Sequence, residues 1–142
     1  MTNKRLGFQF KQIHDAVEAS ANKELKEHDI TFSQMGILCY LFSHKGENIN
    51  PKDIEEHFNL SHPTVVGMLK RLENKGFIIS NVSNKDRRCK VITLTDKATK
   101  VEEIMEEHKQ LINTHITKGM NEEQVKLLQE LLEIVIDNLS SR

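Results

Sequence analysis

Apolar residues recur along most of this chain at the three-and-four spacing that gathers them on one side of an α-helix. Leu6, Phe10, Ile13, Val17, Ala21 and Leu25 form one such stripe, and the spacing predicts a first helix over 6–25. In ITFSQMGILCYLFSHKG, Thr31 followed three positions later by Gln34 is a capping-box signature. Ile37, Leu38, Leu41 and Phe42 would face a core, and Gly46 can end the helix in a left-handed turn. NINPKDIEEHFNL predicts a third, short helix: Asn50 stands at its N-cap, Pro51 sits where a missing N–H costs nothing, and Ile54 and Phe58 lie four apart. The next cap, Ser61, follows Phe58 so closely that only a tight turn fits between them. The helix it opens, 61–75, tolerates Pro63 in its first turn, points Val65, Leu69 and Leu72 inward, and stops at Gly76. Two helices joined in this way make a helix-turn-helix.

After Gly76 the period drops to two. FIISNVS and KVITLT read as strands, and the polar NKDRR between them has the composition of a hairpin tip. A helix-turn-helix followed directly by a β-hairpin is a winged module. Helical spacing then returns in Val101, Ile104, Met105, His108, Leu111, Ile112, His115 and Ile116. Gly119 interrupts, Asn121 to Gln124 offers a fresh cap, and EEQVKLLQELLEIVIDNLSSR forms a last helix whose apolar stripe is wider than one contact face needs. The expected fold is mainly α with a small β-hairpin: an N-terminal dimerisation helix over 1–30, a winged helix-turn-helix over 31–95, and C-terminal dimerisation helices over 96–142.

Charge sharpens this picture only when it is divided along the chain. The net charge over 142 residues is -1. Residues 61–90, however, hold seven cations (Lys70, Arg71, Lys75, Lys85, Arg87, Arg88, Lys90) against the two acids Glu73 and Asp86, with acidic helical sequence on both sides. Such a patch is the usual footprint of a nucleic-acid surface; a solvated basic face is the other reading. No apolar run reaches the length of a signal peptide core or a membrane span, so a cytoplasmic protein without membrane contact is expected. Cys39 and Cys89 have no disulfide or zinc spacing, and His108 and His115, seven apart, lack the i, i+4 pairing of a metal clamp; no metal and no cofactor are expected. The absence of a glycine-rich phosphate loop or a nucleophile motif argues against an enzyme.

Two stretches go further. DRRCKVITLT, Asp86 to Thr95, is similar to a wing signature of Asp, a nearby Arg and a downstream Leu-Thr, and TVVGMLKRLENKGFI is similar to a recognition helix and the strand after it. With the order of elements around them, they resemble the MarR family of bacterial transcription regulators over nearly the whole chain. The resemblance departs at Val66 and Gly67, where that family often carries Ser or Thr followed by Arg, so base contacts cannot be carried over there. It also departs around Lys97 and Ala98, where a glycine is common.

The expected function is a sequence-specific DNA-binding regulator, a repressor relieved by a small ligand. Its recognition helix, 61–75, would lie in the major groove, presenting Ser61, His62, Pro63 and Thr64, then Gly67 and Met68. Lys70 would meet phosphate, and Arg71 either phosphate or an internal partner. The wing, 84–90, suits a minor groove: Arg88 enters it, Asp86 orients an arginine by a bidentate pair, and Lys85, Arg87 and Lys90 meet phosphates. One such module makes a small interface, so a homodimer on an inverted repeat in double-stranded DNA is expected. The resemblance implies the same dimer and a small aromatic effector bound between its helices and the winged lobe. Phe8, His14, Met35, Cys39 and Phe42 are the candidates for that wall, though residues of each of these kinds in such positions are more often plain core. Two alternatives remain: a redox-responsive regulator acting through Cys89, which Arg88 and Lys90 flank, and a winged interaction module that does not bind DNA.

Overall fold

The computed structural model describes residues 5–82 and 90–140. Its elements are α1 (Leu6–Glu24), a 3-10 turn (Lys26–His28), α2 (Phe32–Ser43), α3 (Pro51–Phe58), α4 (His62–Asn74), β1 (Ile78–Val82), β2 (Lys90–Leu94), α5 (Asp96–Ile116) and α6 (Glu122–Ser140). Two compact units divide the chain, residues 1–108 and 109–142. Six helices with one antiparallel hairpin make the mainly α winged fold that the sequence predicts. Lys85, Asp86, Arg87, Arg88 and Cys89 lie outside the described residues.

In the first unit the helix boundaries follow local chemistry. Thr31 and Gln34 close a reciprocal capping box: the Gln34 N–H donates to Oγ1 of Thr31 at 3.2 Å, and the Thr31 N–H to Oε1 of Gln34 at 3.1 Å. Asn50 and Asp53 form a second box at 2.9 and 3.0 Å, with Pro51 at the first helical position. At the far end of α4, Gly76 takes φ +84 and the Phe77 N–H reaches back to the Leu72 carbonyl at 3.0 Å, a Schellman closure between two fully buried apolar residues.

β1 and β2 pair antiparallel with Ile78 opposite Leu94 and Val82 opposite Lys90. A third arm joins them, because the Ile92 N–H donates to the Ile49 carbonyl at 2.8 Å, just before α3. Thr95 then locks the wing to the helices. Its N–H donates to the Phe77 carbonyl at 3.1 Å, its hydroxyl to the Gly76 carbonyl at 2.6 Å, and the same hydroxyl accepts from the Ala98 N–H at 3.4 Å. One threonine thus closes the hairpin base and caps α5, which begins at Asp96 with no need of a glycine.

The core runs through the winged part: Leu25, Ile37, Leu38, Ile54, Val65, Leu72, Phe77 and Ile78 are almost wholly buried, joined by Ile49, Ile92, Val101 and Met105. Each such side chain contributes about 1.5–3 kcal/mol by leaving water. The second unit is different. Asn121 and Gln124 make another reciprocal box at 2.8 and 2.9 Å, but no residue of α6 is buried within the single chain, and Leu127, Leu131, Ile134, Ile136 and Leu139 are all more than half or half exposed. Among the described residues no helix is long and apolar enough to cross a membrane, and no cluster of three or more His, Cys, Asp or Glu is gathered that could hold a metal ion.

Candidate nucleic-acid interface

α3 and α4 are joined by a turn in which Asn59 adopts φ +53 and the Leu60 N–H returns to the Glu55 carbonyl at 3.0 Å. Asparagine is the side-chain-bearing residue best suited to that left-handed position. The turn sets α4 so that Val65, Leu69 and Leu72 seat in the core while Pro63, Thr64, Lys70 and Arg71 face solvent, with Gly67 and Met68 half-buried between them. Val66, which the sequence reading passed over, is also exposed, at 45%.

Not every polar group at the start of α4 is available. The Ser61 hydroxyl caps the helix, accepting from the Thr64 N–H at 3.4 Å, and lies 2.8 Å from Oγ1 of Thr64. His62 holds Oε2 of Glu55 through Nδ1 at 3.0 Å, a contact that ties α4 to α3 and becomes an ion pair when the imidazole is protonated. Nε2 of His62 has no partner among the described residues. Arg71, left open between phosphate and an internal partner, makes no ion pair among the described residues, and neither does Lys70.

Lys75 behaves otherwise. Its ammonium donates to the Asp29 carbonyl and to Oε1 of Gln34, each at 2.8 Å, and stands 3.3 Å from Oδ1 of Asp29. All three donors are thus directed into the protein, across to the segment before α2, and Gln34 is itself buried. One of the seven cations counted in the sequence is therefore a fastener and no part of the outward charge.

α4 stands as a ridge between two open clefts. On one side a cleft of about 690 Å³ is lined by Asn22, Lys26, Phe32, Thr64, Met68 and Arg71, among others. On the other a cleft of about 760 Å³ is lined by Lys52, Glu55, His62, Val66, Lys70 and Lys90, among others. Lys52, at the second position of α3, joins Lys70 and Lys90 there and was missed from sequence; its place beside Pro51 at an exposed helix start was the available signal.

The five residues proposed for an effector wall lie on α1 and α2. Phe8 is 63% exposed, and His14 pairs with Glu18 at 3.1 Å and meets the Phe32 ring edge-on. Met35, Cys39 and Phe42 pack half-buried against the core, with Nζ of Lys45 lying 5.1 Å from the centre of the Phe42 ring. None of the five lines either cleft beside α4. Below the helix-turn-helix, Tyr40 stacks between His44 and His57 at 4.2 and 4.5 Å. Desolvation raises its phenol above the ordinary tyrosine range, and Asp53, Glu47 and Glu56 push in the same direction.

Residues 20–107, which run from the end of α1 into α5 and so include the ridge and all but Glu18 of the residues lining the two clefts, match the family model described as transcriptional regulator SarA/Rot. The chain belongs to this family. The SarA/Rot match is joined by likeness to proteins of the MarR group. The crystal structure of the transcription regulator MarR from Oenococcus oeni is 31% identical, covers 94% of this chain and 99% of its own, and superposes with a TM-score of 0.77. That of the Staphylococcus aureus MepR–DNA complex is 26% identical, covers 96% and 99%, and gives a TM-score of 0.90. YfiV, an HTH-type transcriptional regulator of Bacillus subtilis, is 36% identical over 73 residues; the match takes in 51% of this chain and 44% of YfiV, so the chain spans less than half the length of that relative.

Proposed function

We propose that this member of the SarA/Rot family binds double-stranded DNA as a homodimer and regulates transcription, with α4 in the major groove. The observation that carries the reading is the ridge itself. One helix seats one face in the core and turns the other outward, with Lys70 and Arg71, which make no ion pair among the described residues, on its outer side and Lys52 and Lys90 beside it. An α-helix is what a major groove admits, and cations at its flanks are positioned to meet phosphates. Pro63, Thr64, Gly67 and Met68 then face base edges, His62 offers Nε2, and Ser61 serves the helix cap. Between β1 and β2 in the sequence, Arg88 is assigned to the minor groove, Asp86 to orienting an arginine, and Lys85 and Arg87 to phosphates. The MepR structure, solved with DNA, supports this reading by likeness.

Dimerisation rests on α6, whose apolar residues have no cover within one chain. Specific operators read by such modules are inverted repeats with half-sites about one helical turn apart. Relief by a small effector has a second candidate place in the cleft holding Thr64, Met68 and Arg71, where an occupant would touch the reading helix directly.

A gel shift and footprint on the DNA upstream of its own gene test this function. Protection of two half-sites on one face of the duplex is the expected result. An unprotected duplex would favour the alternative of an interaction module.

A further inference from the structure

Two glycines lie well inside helices of this chain, Gly36 in α2 and Gly67 in α4. At Gly36 an added Cβ would stand 3.7 Å from Cε1 of Phe58, in ordinary van der Waals contact, so that position faces the protein's own side chains. Gly46, Gly76 and Gly119 are required by positive φ angles of 84–87°. Gly7 is open, but it belongs to the first turn of α1, where helices fray. Gly67 has no such reason. Its φ is not positive, it sits sixth in a 13-residue helix, and apart from adjacent residues and its own helix backbone an added Cβ would meet nothing within 4 Å. Glycine there spends backbone entropy and leaves a bare strip of helix. Within the chain nothing requires it, so the requirement points outward.

At about 100° per residue, Gly67 points away from the buried stripe of Val65, Leu69 and Leu72 and is flanked one turn either side by Pro63, Thr64, Lys70 and Arg71. It is the crest of the ridge, where the helix backbone comes nearest to whatever lies opposite.

We infer that Gly67 is a specificity-determining residue: its missing side chain leaves a notch that receives the 5-methyl group of a thymine, packed against the Pro63 ring and the Thr64 methyl. The inference rests on the DNA-binding reading and refines it to one base pair per half-site. The notch has no side-chain donor or acceptor. An amino or carbonyl group of another base pressed into it would lose water without gaining a partner, whereas the thymine methyl is the one apolar projection in the major groove. A long polar side chain at 67 would read hydrogen bonds and hold the helix further out.

The test uses the full chain and a pool of random duplexes, followed by replacement of each selected thymine with uracil, which lacks only the methyl. Wild type should select one thymine in each half-site and bind the duplex with both replaced by uracil about tenfold to twenty-fivefold more weakly, the worth of one buried methyl in each half-site. Gly67→Ala should melt about 2–4 °C higher, bind the selected duplex about tenfold more weakly, and lose the thymine–uracil difference while holding random duplex as before. If Gly67→Ala keeps wild-type affinity and the difference, or if wild type is indifferent to uracil throughout, the proposal is overturned while DNA binding stands. A pool from which nothing is enriched would remove both.

Discussion

Lys70 and Lys75 are five positions apart on one helix, and their difference shows where residue chemistry needs geometry. Lys70 is exposed and has no partner among the described residues; Lys75 binds Asp29 and the buried Gln34. Lys75→Met should therefore cost about 1–3 kcal/mol of folding stability, because it removes the hydrogen bonds to the Asp29 carbonyl and to Oε1 of the buried Gln34, which keeps only the Thr31 N–H, and leave the salt dependence of DNA binding unchanged. Lys70→Met should do the reverse, with stability within about 0.5 kcal/mol of wild type and a salt slope smaller by about two, one for each half-site of the dimer. Urea denaturation and a salt titration on both variants check this. Counting charge along the sequence could not separate the two lysines, since a charge carries no direction until the chain is folded. The same holds for Phe8 and His14: apolar periodicity placed them on α1 but could not say that Phe8 is exposed or that His14 meets Glu18 and the Phe32 ring.

At the scale of elements, the helix boundaries were legible because they are local. Thr31 with Gln34, Asn50 with Pro51, Ser61, Gly76 and Asn121 with Gln124 each fix a terminus through groups within a few residues. Long-range partners were not legible. The bridge from Ile49 to Ile92 joins residues 43 apart in sequence, and Thr95 read only as part of a Leu-Thr motif until its hydroxyl was placed between Gly76 and Ala98. Thr95→Val keeps the shape and removes both bonds. It should destabilise the fold by about 1–2 kcal/mol, in the range of a lost helix cap, and free the base of the wing. A lowered urea midpoint, with weaker protection of the β1 and β2 amides in hydrogen exchange, is the expected outcome; a midpoint equal to wild type would remove Thr95 from the account.

For the whole molecule, the division of character is between a winged unit with its own core and a C-terminal unit whose α6 buries nothing in one chain. Unsatisfied apolar surface of that kind is covered by association, and the proposal is a second copy of this chain. Placing charge on it, as in the pair Leu131→Glu and Ile134→Glu, should yield a monomer in sedimentation with the winged unit still folded. DNA affinity should then fall by orders of magnitude, since two half-sites are no longer held together. The measurement that most directly tests the central claim, that α4 and its flanking cations meet a duplex, is the salt slope of binding compared between wild type and the double substitution Lys70→Ala and Arg71→Ala. The account predicts a steep slope for wild type that is reduced by about four in the double variant, two for each half-site of the dimer. Equal slopes would contradict it.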